Sequence, residues 1–210
     1  MPLKFKIVDY GSSNLRSVYN AINRLDVDCS FAMTPADLQK ADAIILPGVG
    51  AFAHAMKNLD SSGLRDALEN EIMNKGKPFL GICLGMQILA NHSEEGAGSR
   101  GLGWIDGEVK QLDHTKSEHV PNIGWRFITS ERESVLFNQL TLEQRCFYFV
   151  HSYALECDEK LVDGRCRGNE KIVAAIHHQN LFGTQFHPEK SSRAGHQLLT
   201  NFHDYVLVAS

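Results

Sequence analysis

Cys83 stands between two glycines in Gly81-Ile82-Cys83-Leu84-Gly85, where an apolar run gives way to a helical pattern. A sharp strand-to-helix turn crowds its central residue, and glycines two before and two after remove the side chains that would clash. Such a turn lifts the central side chain above the carboxyl ends of the strands. It places a thiol at a helix N-terminus, where thiolate is favoured, and turns the Leu84 N–H toward the same space as an oxyanion donor. Read alone, the motif also fits a buried cysteine at a glycine-rich packing contact. A nucleophile needs a base.

The segment FGTQFHPEK lies 104 positions further on, measured from Cys83 to His187. In a strand, Gly183, Gln185 and His187 share one face, and Phe182, Thr184 and Phe186 the other. If the chain stays extended through Pro188, Glu189 falls on the side of His187. Two residues at about 3.3 Å rise each then let the carboxylate reach the imidazole. A carboxylate on one ring nitrogen fixes the tautomer and frees the other nitrogen to take a proton from Cys83. The alternative is a strand-end histidine beside an unrelated surface glutamate. His177 and His178 add imidazoles nearby, but adjacent strand residues face opposite ways and no further ligand set has suitable spacing. No metal and no cofactor are expected. In LPGVGAF, residues 46–52, Gly48 and Gly50 permit unusual torsions just beyond a buried strand. A peptide N–H of the Gly48-Val49-Gly50 stretch could complete an oxyanion hole with Leu84, although a plain loop explains these glycines as well.

The elements that must position these groups alternate through the first 90 residues. KFKIVDYG and ADAIILPGVG read as strands, the second buried on both faces. After Ser12 or Ser13 as N-cap, Leu15, Val18, Ile22 and Leu25 recur at helical spacing. Residues 62–75 set Leu64, Leu68 and Ile72 on one stripe, with Gly76 at C′. KPFLGIC reads as a third buried strand and LGMQILANH as its following helix. Alternation of this kind predicts an α/β fold, a doubly wound and mostly parallel sheet flanked by helices. Beyond Gly101, GEVKQL, NIGWRFI, RCFYFVHSYAL, KIVAAIHH and LFGTQFH read as strands forming antiparallel additions. AGHQLLTNFHDYVLV closes the chain as a helix.

A chain of 210 residues without internal repeats or a long linker is expected to form a single domain, residues 1–210. The charge of −4 carries no basic stripe, which argues against a nucleic-acid partner. Apolar runs are too short to span a bilayer and no signal segment is evident, so a soluble, cytoplasmic protein is expected. Five cysteines, at 29, 83, 146, 157 and 166, form neither a CxxC pair nor an even disulfide set, as for free thiols in a reducing compartment.

Four segments, PGVGAF, GICLGMQ, FYFVHSY and GTQFHPEKS, resemble in order and spacing the class I, triad-type glutamine amidotransferases. The likeness runs from IVDYGSSNLRSV through GLGWIDGEV to the terminal helix, and is nearest to the glutaminase subunits of imidazole glycerol phosphate synthases. It implies that Cys83 attacks the side-chain amide of glutamine, that His187 shuttles the proton, and that Glu189 orients His187. It also implies that Val49, Gly50, Leu84 and Gln87 contact glutamine or its oxyanion, and that Ser152 and Tyr153 receive the substrate's amino-acid end. The implied partner is a (βα)8-barrel cyclase subunit that takes the ammonia, with Asn14, Trp125, Tyr148 and Lys190 facing it. Where that family commonly reads Pro-His-Met-Gly-Trp-Asn, this chain reads PNIGWR, with Asn122, Ile123 and Arg126 as departures. The alternative they raise is the same glutaminase chemistry supplying another acceptor, such as surface-sugar amidination. A peptidase or thioester hydrolase of related fold offers no reason for Gln87 or the VHSY segment.

Overall fold

Strand and helix alternate through the first 90 residues of a computed structural model; the apolar spacing predicts the strands at 3–8, 43–48 and 79–83 and the helices that begin at 15, 64 and 84, but not the strand at 27–32 or the helices at 35–39 and 52–61. In order the elements are β1 (Leu3–Val8), α1 (Leu15–Ile22), β2 (Val27–Ala32), α2 (Pro35–Gln39), β3 (Ala43–Gly48), α3 (Phe52–Ser61), α4 (Leu64–Glu69), β4 (Phe79–Cys83) and α5 (Leu84–Gln87). The second part holds the short strands β5 (His92–Ser93) and β6 (Ser99–Arg100), then β7 (Gly107–Gln111), β8 (Asn122–Thr129), β9 (Cys146–His151) and β10 (Tyr153–Cys157). It ends with β11 (Val162–Cys166), β12 (Asn169–His178), β13 (Leu181–Thr184) and α6 (Ser192–Ala209). The structure describes every residue except 13, 97, 114–119, 131, 132 and 210, and only the backbone of 169–171.

Among the described residues the main sheet has nine strands in the order β2-β1-β3-β4-β13-β12-β11-β8-β9. From β2 to β13 neighbours run parallel, and from β13 to β9 they run antiparallel. A smaller sheet, β10-β7-β5-β6, packs beside it. Side-chain alternation along the central strands feeds two cores. Phe5, Ile7, Ala43, Ile45, Leu80 and Ile82 face α1 and α6, meeting Val18, Ile22, Leu198, Phe202 and Val206. Val8, Ile44, Leu46 and Phe79 face α3, α4 and the smaller sheet, meeting Leu59, Leu64, Leu68, Val109 and Leu155. Each such fully buried side chain contributes about 1.5–3 kcal/mol. No helix among the described residues is long and apolar enough to cross a membrane.

Several local expectations are corrected. Asn14, with left-handed backbone (φ 72°) and no side-chain capping bond, is the N-cap of α1 in place of Ser12; Ser13 lies outside the described residues. The helix after Cys83 stops at Gln87 and does not run through His92. The carbonyls of Ile88, Leu89, Ala90 and Asn91 instead accept from Leu102, Trp104, Ile105, Gly103 and Gly101, which free the chain to enter β5. The run RCFYFVHSYAL breaks at Ser152, so that β9 joins the main sheet and β10 the smaller one. Leu64, Leu68 and Ile72 are buried as the stripe predicts, α4 continues into a π-turn, Asn70–Asn74, and Gly76 follows with φ 71°.

Candidate active site

Parallel pairing brings the distant segments together. β13 lies against β4 with Gly183 opposite Gly81 and Thr184 opposite Ile82, so both strands end at the same edge of the sheet. Cys83 emerges at that edge with φ 54° and ψ −109°, a backbone conformation that is strained for any side chain. The flanking glycines show what holds it there. A Cβ on Gly81 would fall 2.5 Å from the carbonyl oxygen of Gly85, and one on Gly85 would fall 1.7 Å from that of Leu46. These contacts are backbone on backbone and cannot yield, so the turn is built for glycine at both places. With α5 only one turn long, what the helix offers the thiol is its first amides, including Leu84 N–H, more than a macrodipole.

His187 is buried, and its Nδ1 lies 2.8 Å from Oε1 of Glu189, whose side chain is also buried. The path between them differs from the extended one expected, because Pro188–Lys190 forms a 3-10 turn after β13 has ended at Thr184. Ser191 fastens that turn: its hydroxyl donates to the His187 carbonyl at 2.6 Å and accepts from the Tyr148 amide at 3.0 Å. The His187 amide in turn donates to the Tyr148 carbonyl at 2.9 Å, so strand β9 also supports the imidazole. Among the described residues no donor or acceptor completes a hydrogen bond with Nε2 of His187, which faces Cys83. Burial works against a charged imidazole, but the Cys83 sulfur and the Glu189 carboxylate outweigh it and push His187 up to about 9. A thiol beside an imidazole held by a carboxylate is the arrangement of nucleophilic acyl transfer.

A pocket of about 410 Å³ opens over the sulfur, lined by Val49, Gly50, Cys83, Leu84, Gln87, Glu95, His151, Ser152 and Tyr153, with Pro121 and Val150. Every pocket residue expected from sequence is therefore brought to one cavity. A larger depression of about 630 Å³, along Met56, Lys57, Arg65 and Arg100, is an open trough that shares none of these residues. Gly48 and Gly50 serve different ends. A Cβ on Gly48 would fall 2.6 Å from the Tyr10 hydroxyl, whereas one on Gly50 would meet nothing within 4 Å. Gly50 is required by its torsion, φ 102°, and so by the path of the loop.

Sequence reasoning misses Glu95. It follows the stretch that reads as helix through His92, and only the early end of α5 turns it back over the pocket. Its Oε2 accepts from the Phe52 amide at 2.7 Å, capping α3, which has no side-chain cap of its own. Gln185 does carry a signal, the face it shares with His187. Among the residues expected on a partner face, Trp125 and Tyr148 are cross-strand neighbours with ring centroids 6.1 Å apart. Asn14 and Lys190 are exposed, and α1, which Asn14 opens, packs against the turn that carries Lys190. Among the described residues no group of three or more His, Cys, Asp or Glu could hold a metal ion, and His177 instead stacks on Phe182 at 4.1 Å.

The chain is similar across nearly its whole length to proteins with assigned roles. The imidazole glycerol phosphate synthase subunit HisH 2 of Vibrio vulnificus is 41% identical over 207 residues, covering 98% of this chain and 96% of that one. The corresponding HisH subunit of Methanothermobacter thermautotrophicus is 44% identical over 200 residues, covering 95% and 98%. Among solved structures, a putative GMP synthase component from Thermoplasma acidophilum superposes with a TM-score of 0.76 at 18% identity, covering 100% of this chain and 96% of that one. PurLQS from Thermotoga maritima gives 0.75 at 20%, covering 98% and 99%; both likenesses bear on the fold. The glutamine amidotransferase class-I family profile matches residues 6–205, and the chain belongs to that family.

Proposed function

We propose that this chain, acting as one domain over residues 1–210, is the glutaminase subunit of an imidazole glycerol phosphate synthase in histidine biosynthesis. The observation that carries the chemistry is the meeting of Cys83, which lines the pocket, with the buried pair His187 and Glu189 behind it. The full-length likeness to HisH subunits supports the pathway.

In this reading glutamine enters with its side-chain amide over Cys83. The Glu95 carboxylate takes the α-ammonium, and the Ser152–Tyr153 corner borders the amino-acid end. The thiolate forms a C–S bond to the amide carbon, and the carbonyl oxygen gains negative charge beside the Leu84 N–H and the Val49–Gly50 peptide. His187, held protonated by Glu189, gives its proton to the amide nitrogen as the C–N bond breaks, releasing ammonia and leaving a glutamyl thioester. The now neutral imidazole takes a proton from water, which attacks the thioester; the C–S bond breaks to release glutamate and restore the thiolate–imidazolium pair.

Ammonia is mostly protonated near neutral pH and unreactive as a nucleophile, so a partner subunit is needed to receive it directly. We assign that role to a (βα)8-barrel cyclase docking on the face that holds Asn14, Trp125, Tyr148 and Lys190. A second reading keeps the chemistry and changes the acceptor; Asn122 and Arg126 on β8 favour it, because they alter the strand nearest that face. Glutamate release, measured alone, with a cyclase subunit, and with the cyclase bearing its nucleotide ligand, separates the two. The pathway reading expects at least a tenfold rise with the loaded cyclase, and Cys83→Ala should cost about a thousandfold or more. No rise with the loaded cyclase would remove the pathway assignment and leave the glutaminase chemistry standing.

A further inference from the structure

The sulfur of Cys83 has a neighbour besides His187. The side-chain amide of Gln185, fully buried one step beyond β13, donates through Nε2 to Cys83 Sγ at 3.6 Å. Which end of that amide faces the sulfur is decided by its other contact. Gln87 Nε2 donates to Gln185 Oε1 at 2.9 Å and to the Tyr153 carbonyl at 2.8 Å. A reversed Gln185 would set two NH2 groups against each other, so its oxygen must face Gln87 and its nitrogen the thiol.

The same logic extends outward. The Tyr153 carbonyl also accepts from His151 Nδ1 at 2.9 Å, which puts the imidazole proton on that nitrogen. His151 Nε2 is then an acceptor and takes the Asn122 Nδ2 proton at 2.8 Å, while Asn122 Oδ1 accepts from Arg126 Nε at 3.1 Å. Arg126 can only donate and the Tyr153 carbonyl can only accept, so the links between them take one polarity; on its other side the same acceptor fixes the Gln87 amide independently. Burial holds His151 neutral, its pKa depressed to about 4 despite the bond to Tyr153, so the polarity persists through the physiological range.

We infer that Gln185 is a positioning residue for the Cys83 sulfur, and that the Tyr153 carbonyl, acting through Gln87, fixes the direction of its amide. A donor aimed at the sulfur favours the thiolate and selects one rotamer of Cys83. Among the described residues the other titratable groups around the sulfur are His187, Tyr10 behind Gly48, whose phenol burial pushes up to about 12 and thus keeps neutral, and, across the pocket, Glu95, His151 and Tyr153. Gln185 does not line the pocket, so its effect belongs in turnover and not in substrate affinity. The inference rests on the glutaminase reading for its consequence, though not for its geometry.

The test is the rate at which iodoacetamide alkylates Cys83 in the full chain, resolved by peptide mass spectrometry, in wild type, Gln185→Met and Gln185→Glu. The expected order is wild type fastest, Gln185→Met slower by about tenfold or more, and Gln185→Glu slowest, since a carboxylate keeps the shape and the bond from Gln87 but repels the thiolate. Glutaminase assays with the partner should show the same order in kcat, with KM within about twofold. Gln87→Met should slow alkylation by a few fold and add little on top of Gln185→Met, because both break the link that orients the Gln185 amide. Thermal melting confirms folding; if Gln185→Met does not fold, the isosteric Gln185→Glu decides. Wild-type alkylation in a folded Gln185→Glu protein, the outcome of a packing role, would overturn the inference. So would effects of Gln87→Met and Gln185→Met that simply multiply. Alkylation needs no glutamine, so an absence of glutaminase activity would count against the proposed function and leave this inference to its own readout.

Discussion

His187 carries the charge on which the proposed proton transfer turns. Its ordinary value of 6.5 is raised to about 9 against the opposing effect of burial, so the imidazolium is the resting form at neutral pH. The sign for stability follows. A base whose folded pKa lies above its unfolded one lends stability that is whole below about pH 6.5 and is lost as pH climbs through about 9. Glu189→Gln keeps a hydrogen-bonding partner at Nδ1 but removes the negative charge. The His187 midpoint, followed by NMR of the ring protons, should drop below about 9, and the alkaline limb of kcat/KM should move down with it. An unchanged midpoint would mean that Glu189 orients the ring without charging it. At this scale the sequence was informative because the triad is local twice over: glycines bracket Cys83, and two positions separate His187 from Glu189. Glu95 and the Asn122–His151 pair were illegible because neither partner has a nearby signal. Each pairing exists only once the chain has folded back over 29 positions or more.

At the scale of elements, the strand-to-helix turn and the loop after β3 both use glycine, and the structure separates their reasons. Gly85→Ala would drive a methyl into the Leu46 carbonyl of β3, and urea denaturation should show a loss of about 4 kcal/mol or more, or no soluble protein. Gly50→Ala meets open space and should cost only the strain of a positive φ, about 1–2 kcal/mol, while glutaminase turnover falls sharply because the loop proposed to hold the oxyanion must take another path. Equal losses of stability for the two variants would refute this division of roles. The sequence showed the strands that end at the site because their apolar runs are continuous. It did not show where α5 ends. That boundary is set by amides of Gly101–Ile105 reaching back to carbonyls of residues 88–91, a tertiary choice that overrides the helical periodicity of ILANH. The strand β11 was also missed, because Val162-Asp-Gly-Arg-Cys166 has neither alternation nor β-rich composition, and it is held between β12 and β8 by register alone.

Over the whole molecule, the antiparallel half of the main sheet presents Ile123, Trp125 and Phe127 on one face of β8, each 43–49% exposed. Residues at alternate positions of a strand lie side by side, and three large apolar side chains in a row form a surface suited to a protein partner. Trp125→Ala should weaken association with the proposed cyclase partner at least thirtyfold by calorimetry, in keeping with a central aromatic anchor, while alkylation of Cys83 in the isolated chain stays unchanged. Retention of wild-type affinity would place the interface elsewhere. The parallel half of the sheet was readable from alternation of strand and helix, except for its edge strand β2, which was not expected. The order of the second half was not, since antiparallel strands joined by short breaks admit many pairings with the same pattern of side chains.

The pairing of β4 with β13 has a consequence for biosynthesis. During translation the segment bearing the thiol leaves the ribosome about a hundred residues before its parallel neighbour, and until then that neighbour's place in the sheet stays vacant. A nascent or truncated polypeptide lacking residues beyond 180 thus has the cysteine and its turn but neither imidazole nor carboxylate, and it exposes an unpaired apolar ribbon that invites aggregation or chaperone capture. Completion of the final strand both closes the sheet and arms the thiol, so unfinished copies cannot squander the cell's glutamine.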